Sequence, residues 1–165
     1  MNAILTKPQR PARTYRTGPI SRGLRWISVL ASLGTTAWIL VRYSSLPDTI
    51  ATHFDVSGQA DDWGPRWSIL VLAGVMLLMS LGIGALSTRP RFFNYPSEIT
   101  ASNAQAVYRE GERMLVWTLL AMQAIYLGIA WATLERGGGL LLVVGLMALV
   151  GASILGIIRI VRAAR

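Results

Sequence analysis

"MLVWTLLAMQAIYLGIAWATL", residues 114–134, holds no charged side chain. As a helix it would rise about 32 Å, close to the hydrocarbon thickness of a bilayer. Three more stretches escape charge in the same way: Trp26–Val41, Trp67–Ser87 and Gly137–Ile158. The first is the shortest, but Arg25 and Arg42 bracket it. Their long stems can snorkel to carry the guanidinium heads into the interface. Apolar residues make up 53% of the chain and charged residues 15%, too few charges for a soluble surface.

The expected fold is therefore all-α and integral to a membrane, a bundle of four transmembrane helices. In lipid a helix satisfies its own backbone groups, and no run of strand alternation suggests a barrel. The spans are read at about 26–42, 66–87, 113–134 and 138–159 within a membrane domain of residues 26–161. Around them lie a basic N-terminal tail (1–25), an outer loop (43–65), an inner loop (88–112) and a basic C-terminal end (160–165). The first span is expected to stay uncleaved, because Thr36-Ala37-Trp38 and Arg42-Tyr43 offer no small-residue cleavage site. An organellar transit peptide, suggested by the arginine-rich and acid-free start, ranks lower still. The chain lacks cysteine, so disulfides and thiolate metal sites drop out.

Charge alternates along the loops. Residues 1–25 carry Lys7, Arg10, Arg13, Arg16, Arg22 and Arg25 without an acid, whereas the next connection gathers Asp48, Asp55, Asp61 and Asp62. The third segment has Arg89, Arg91, Arg109 and Arg113 against Glu98, Glu110 and Glu112, and the end has Arg159, Arg162 and Arg165. The positive-inside rule then predicts a multi-pass protein of the cell membrane with both termini cytoplasmic. The basic tail reads as a topology signal that touches anionic lipid. Without aromatic interleaving or a binding module, no nucleic-acid partner is expected.

Pro90 and Pro96 forbid helix early in the inner loop, and Ser102-Asn103-Ala104-Gln105 reads as a capping box that starts a helix running into the third span. Phe92, Phe93 and Tyr95 are expected to dock this loop on the membrane surface. Small residues recur at Ser28-Ser32-Thr36, Ala124-Gly128-Ala132 and Ala148-Ala152-Gly156 and predict helix-packing faces. Gln123, the one amide inside a span, suits an inter-helix hydrogen bond better than a pathway. No Asp, Glu, Lys, Arg or His lies within the uncharged stretches, which argues against a proton-coupled transporter or a voltage sensor.

The outer loop, "LPDTIATHFDVSGQADDWGPRW" (46–67), holds the only histidine and four of the eight acids. Pro47 should break the first helix. Ile50, Thr52, Phe54 and Val56 alternate with polar neighbours as a short strand does, and Ser57-Gly58-Gln59 supplies a turn, so a small hairpin is possible here. Gly64-Pro65 is expected to open the second helix, with Asp61 or Asp62 at its N-terminal end. Phe54, Trp63 and Trp67 would hold the segment to the bilayer surface.

Leu46, Pro47, Ile50, His53, Phe54, Gly58, Asp61 or Asp62, Trp63 and Gly64 together resemble the uncharacterised N-terminal membrane domain of the SdpI toxin-immunity family. Ala51 and Asp55 stand where that family usually has Pro and Asn. Downstream, Asn94, Tyr95, Pro96, Ile99, Thr100, Asn103 and Tyr108 are similar to the family's inner-loop pattern. The resemblance covers roughly residues 25 to 120. It implies immunity to, or sensing of, a secreted toxic peptide, with a cytosolic regulator held at the inner surface.

The candidate outer recognition loop is thus Pro47, His53, Phe54, Asp55, Gly58, Asp61, Asp62, Trp63 and Gly64. The candidate inner motif is Asn94, Tyr95, Pro96, Asn103 and Tyr108, and Gln123 is the intramembrane polar residue. A divalent-cation site on His53, Asp55 and Asp61 or Asp62 is conceivable, but a structural His–Asp hydrogen bond is the commoner arrangement. No HExxH, P-loop or nucleophile elbow is present, so neither an enzyme nor a metal or other cofactor is expected. The alternative to a peptide-binding module is a small transporter or an accessory subunit of a membrane complex.

Overall fold

Each uncharged stretch is helical over nearly all of its length, and the first, third and fourth helices run on beyond it. The computed structural model describes residues 10–135 and 137–165, so Lys7 of the charge pattern lies outside the described residues. Its helices are α1 (Pro19–Arg42), α2 (Ser68–Ser87), α3 (Ala104–Glu135) and α4 (Gly139–Ala163). All four are long and apolar enough to cross a membrane. The chain is a small multi-pass membrane protein.

Charge marks where lipid ends, not where the helix ends. α1 begins at Pro19, inside the segment read as tail, because proline's fixed φ suits a first helical turn. α3 begins ten residues ahead of the apolar run, so its first turns stand clear of the hydrocarbon. Between α1 and α2, strands β1 (Thr49–Phe54) and β2 (Ala60–Pro65) pair as an antiparallel hairpin. Short helical turns cover Tyr43–Ser45 and Pro90–Phe92.

α3 is the axis of the bundle. α1 and α2 pack on it and on each other, whereas α4 packs along α3. Helices in lipid gain little from burying apolar surface against one another, so contact depends on close approach and on polar pairs. The expected α1 stripe does face inward, with Ser28 and Ser32 fully buried. Thr36 shares a 2.9 Å hydrogen bond with the Tyr126 hydroxyl of α3. Gln123 donates from Nε2 to the Ser80 hydroxyl of α2 at 2.9 Å and to the Leu119 carbonyl at 3.2 Å. Gly128 meets the Leu142 backbone of α4, Gly145 meets Ile125, and Gly156 meets Met114.

Three expectations need correction. On α4 the tight contacts fall at Gly145 and Gly156, while Ala148 and Ala152 border an open groove. Small side chains permit close approach without enforcing it, and bulky Trp117 stands on the opposite wall. At the start of α3 the reciprocal pair is Thr100 with Asn103, not Ser102 with Gln105. The Gln105 amide is drawn off by the tail, accepting from Thr14 N at 2.9 Å and donating to the Ala12 carbonyl at 2.7 Å. Finally, α2 starts only at Ser68 and has no acid in its first turn, because Asp61, Asp62 and Gly64-Pro65 belong to β2.

Gly145→Ala should loosen α4 from α3, since a Cβ there would stand 2.8 Å from the Ile125 amide nitrogen. We expect overpacking of about 1–3 kcal/mol, read as a lower thermal midpoint in detergent. Gly151→Ala, with nothing within 4 Å of its added methyl, should leave the midpoint unchanged or slightly raised.

Candidate functional site

On the hairpin side, Asp55 builds the turn. Its carboxylate accepts from the Ser57 amide at 2.9 Å, the Ser57 hydroxyl at 2.6 Å and the Gln59 amide at 2.9 Å. These bonds, that from the Ser57 hydroxyl foremost, hold its carboxyl below the ordinary aspartate range. Gly58 has φ +80°, where an L side chain is strained. It also abuts α4: a Cβ on it would stand 2.6 Å from the Gly139 Cα. The tip of the hairpin therefore rests on the α3–α4 connection.

Across the strands, Ala51 pairs with Trp63 and His53 with Asp62, with irregular register on either side of His53. The expected alternation does not hold, since Ile50 and Ala51 are buried in succession, ahead of the irregularity, and Val56, beyond the end of β1, is 90% exposed. Ile50 joins Leu46, Ile39, Ile69, Tyr126 and Ala130 in one apolar cluster. Thr133 of α3 lies 3.5 Å from the Ala51 carbonyl. At the hairpin base, Arg66 donates to the Leu46 carbonyl at 3.3 Å and lies 3.6 Å from Asp48.

His53 Nδ1 sits 2.5 Å from Asp61 Oδ1, both exposed. Asp62 accepts from the Trp63 amide at 2.8 Å, and the Trp63 and Trp67 rings face outward. Asp55, Asp61 and Asp62 thus serve separate local jobs. Among the described residues no group of three His, Cys, Asp or Glu is placed to hold a metal ion. Pro47 is exposed between the end of α1 and β1, Phe54 is half-buried, and Gly64 presses its Cα side against Thr52. Beneath the strands a groove of about 300 Å³ runs over α3 between α2 and α4. Its walls are Ile69 and Leu72, Ile125 and Ile129, Leu142 and Leu146, with His53 and Thr52 at the hairpin rim.

The opposite end is knotted by a residue that was not singled out from the sequence. Glu112, 2% exposed, accepts from Arg25 Nη2 at 2.6 Å, Thr17 Oγ1 at 2.7 Å and Tyr15 Oη at 2.8 Å. Arg13 stands 3.4 Å away. Arg25 also donates from Nε to Ser87 of α2 at 2.7 Å. One carboxylate therefore joins the tail, α1 and α3, with α2 attached through Arg25. Burial and the bond to Glu112 push the Tyr15 phenol well above its usual range.

The inner motif surrounds this knot. Tyr95 stacks between Phe93 and Tyr108, with ring centroids at 5.8 and 5.9 Å, and donates to the Pro90 carbonyl at 2.9 Å. Burial, with Tyr108 close by, pushes its phenol up. Arg10 donates to the Phe93 carbonyl at 2.5 Å, and Tyr108 to the Pro11 carbonyl at 3.1 Å. Phe93 and Tyr95 thus dock the loop on α3 itself, and only Phe92, 72% exposed, is left for a membrane surface. Asn103 donates to the Glu98 carbonyl and to the Ala164 carbonyl past α4, both at 3.1 Å. Asn94 and Pro96 are exposed. The signal for Glu112 was its position: an acid two residues before an uncharged span, amid excess arginine.

Residues 30–77 match a family model described as "Domain of unknown function (DUF1648)", a segment running from α1 through the hairpin into α2. The chain is 32% identical over 66 residues to an uncharacterised protein of Archaeoglobus fulgidus. That similarity covers 35% of this chain and 36% of the relative's length. No solved structure matches.

Two outcomes are expected. Asp55 is depressed on folding, so its contribution is present above the ordinary value of 3.8 and is lost as pH falls through the lower folded value. The protection of the Ser57 and Gln59 amides, taken relative to their intrinsic exchange rate at each pH, should hold at neutral pH and fall only in that acid window. Glu112→Gln should strip a buried carboxylate from two arginines and destabilise by about 3–5 kcal/mol. Protease nicking near Thr17 in detergent would report release of the tail, and intact protection would refute the role assigned to Glu112.

Proposed function

We propose that this protein is a non-catalytic membrane module that binds an exported amphipathic peptide on its hairpin side. The observation that carries this is the groove: apolar walls from three helices lie under a polar roof that bears the exposed His53–Asp61 pair. A helical peptide lying in the interface has the matching form, an apolar face for the walls and polar groups for the rim. The resemblance to SdpI-type immunity proteins adds a class of partner, a secreted toxic peptide. The excess of arginine on the side of the two termini favours that side as cytoplasmic and the hairpin as external.

α3 supports a relay as well as capture. From Thr133, beside the hairpin, to Glu112, in the knot, it is one uninterrupted helix of about 32 Å. Displacement of the hairpin would act on the same rod that holds the tail, where a cytosolic regulator would meet Arg-rich surface. An accessory subunit of a membrane complex is the second reading. It draws on the lipid-facing side of α4, where Leu140, Met147, Val150 and Ile154 are exposed.

A deletion strain challenged with supernatant from a peptide-producing strain, then complemented, tests the proposal. Wild type should restore survival. His53→Ala and Trp63→Ala, inserted at wild-type levels, should each lower protection at least severalfold. Equal protection by both variants would reduce the hairpin to a structural element. Failure of wild type itself to protect would favour the accessory reading.

A further inference from the structure

A second groove lies at the other end of the bundle, between α3 and α4, and its volume is about 400 Å³. Met114 and Trp117 form one wall; Ala148, Gly151, Ala152 and Leu155 form the other. From Ala148 to Arg159 α4 rises about 16 Å, which is close to half the hydrocarbon thickness. The groove thus has the length of one leaflet. At Arg113, Trp117 and Arg159 it continues into a cavity of about 470 Å³, which Arg16, Arg109 and Tyr15 also line.

The charges at this mouth are unequally satisfied. Arg113 is held by Glu110 at 2.5 Å, and Glu112 is engaged by Arg13 and Arg25. Among the described residues Arg16, Arg109 and Arg159 make no ion pair. The Arg109 guanidinium is steadied 5.2 Å from the Tyr15 ring centroid, which leaves its fork of donors for an anion. An apolar slot one leaflet long, closed by three uncompensated arginines at the lipid boundary, matches an anionic group attached to an acyl chain.

We propose that this groove is a binding site for an anionic glycerophospholipid of the leaflet on the side of the two termini. Arg16, Arg109 and Arg159 take the phosphate headgroup, and an acyl chain lies between Trp117 and Ala152. The lipid would fill the space that Ala148 and Ala152 leave open and couple α4 to the tail. This site is separate from the hairpin groove and does not depend on the peptide proposal.

The test uses the full chain in phosphatidylcholine nanodiscs doped with brominated phosphatidylglycerol or, for reference, brominated phosphatidylcholine. Trp117 fluorescence is isolated by subtracting the Trp117→Phe protein. Half-quenching should occur at a severalfold lower mole fraction of the brominated phosphatidylglycerol. Arg109→Gln and Arg159→Gln should each remove most of that preference, since one arginine near the surface is worth about fivefold. Ala152→Leu, with helical content unchanged, should abolish it. Equal quenching by the two lipids in wild type would overturn the proposal, as would a preference that survives all three variants. Displacement by soluble glycerol phosphate would also overturn it, by showing a headgroup site without a chain. If Ala152→Leu dissociates a dimer without altering lipid preference, the groove holds a second copy instead.

Discussion

The arrangement of the bundle depends on one carboxylate buried at the lipid boundary. Glu112 is drawn out of water by two arginines and two hydroxyls that come from different parts of the chain. Breaking such a cluster strands its remaining charges, so the elements that supply them are held as a unit. Apolar burial cannot do that work here, because the lipid around α1, α2 and α4 is as apolar as the helices themselves. Polar contacts therefore decide which helix stands next to which. Gln123 with Ser80 and Thr36 with Tyr126 repeat the device deeper in the membrane.

With its ends set this way, α3 becomes the element on which the other three helices and the first hairpin strand converge. Its N-terminal turns accept the tail and the inner loop, its middle receives α1, α2 and α4, and its last turns meet the hairpin. The hairpin is unusual for so apolar a chain in keeping its polar groups exposed. Its turn is closed by Asp55, and its tip rests on Gly139 through a glycine that no other residue could replace without strain. A ligand on the hairpin side would meet a preformed rim rather than a loop that must first be ordered, which lowers the entropic cost of binding.

Both grooves are lined by α3 and α4. α4 packs along α3 and leaves space toward α2 beneath the hairpin, and space beside Trp117 at the other end. The two differ in charge. The hairpin rim pairs histidine with aspartate, whereas the far mouth is arginine-rich. That difference suits one for a peptide and the other for an anionic lipid.

How much of this was legible beforehand follows from the range of each force. Lipid exclusion of charge acts on continuous stretches, so the spans and their number could be read from Trp26 to Ile158 directly. Turn chemistry is local too, and Ser57-Gly58-Gln59 marked the hairpin. Gly64-Pro65, expected to open α2, ends β2 instead, since the pair suits either and only pairing with β1 decides between them. The Glu112 cluster joins partners about a hundred positions apart, Tyr15 at one extreme. An acid beside a span looks solvated until the fold brings Arg25 and Arg13 to it. Composition and local spacing thus determined that four helices cross a membrane with a polar turn between the first two. Which side chains close the bundle, and where it stays open, was decided only in three dimensions, because long-range pairing leaves no periodic trace in the chain.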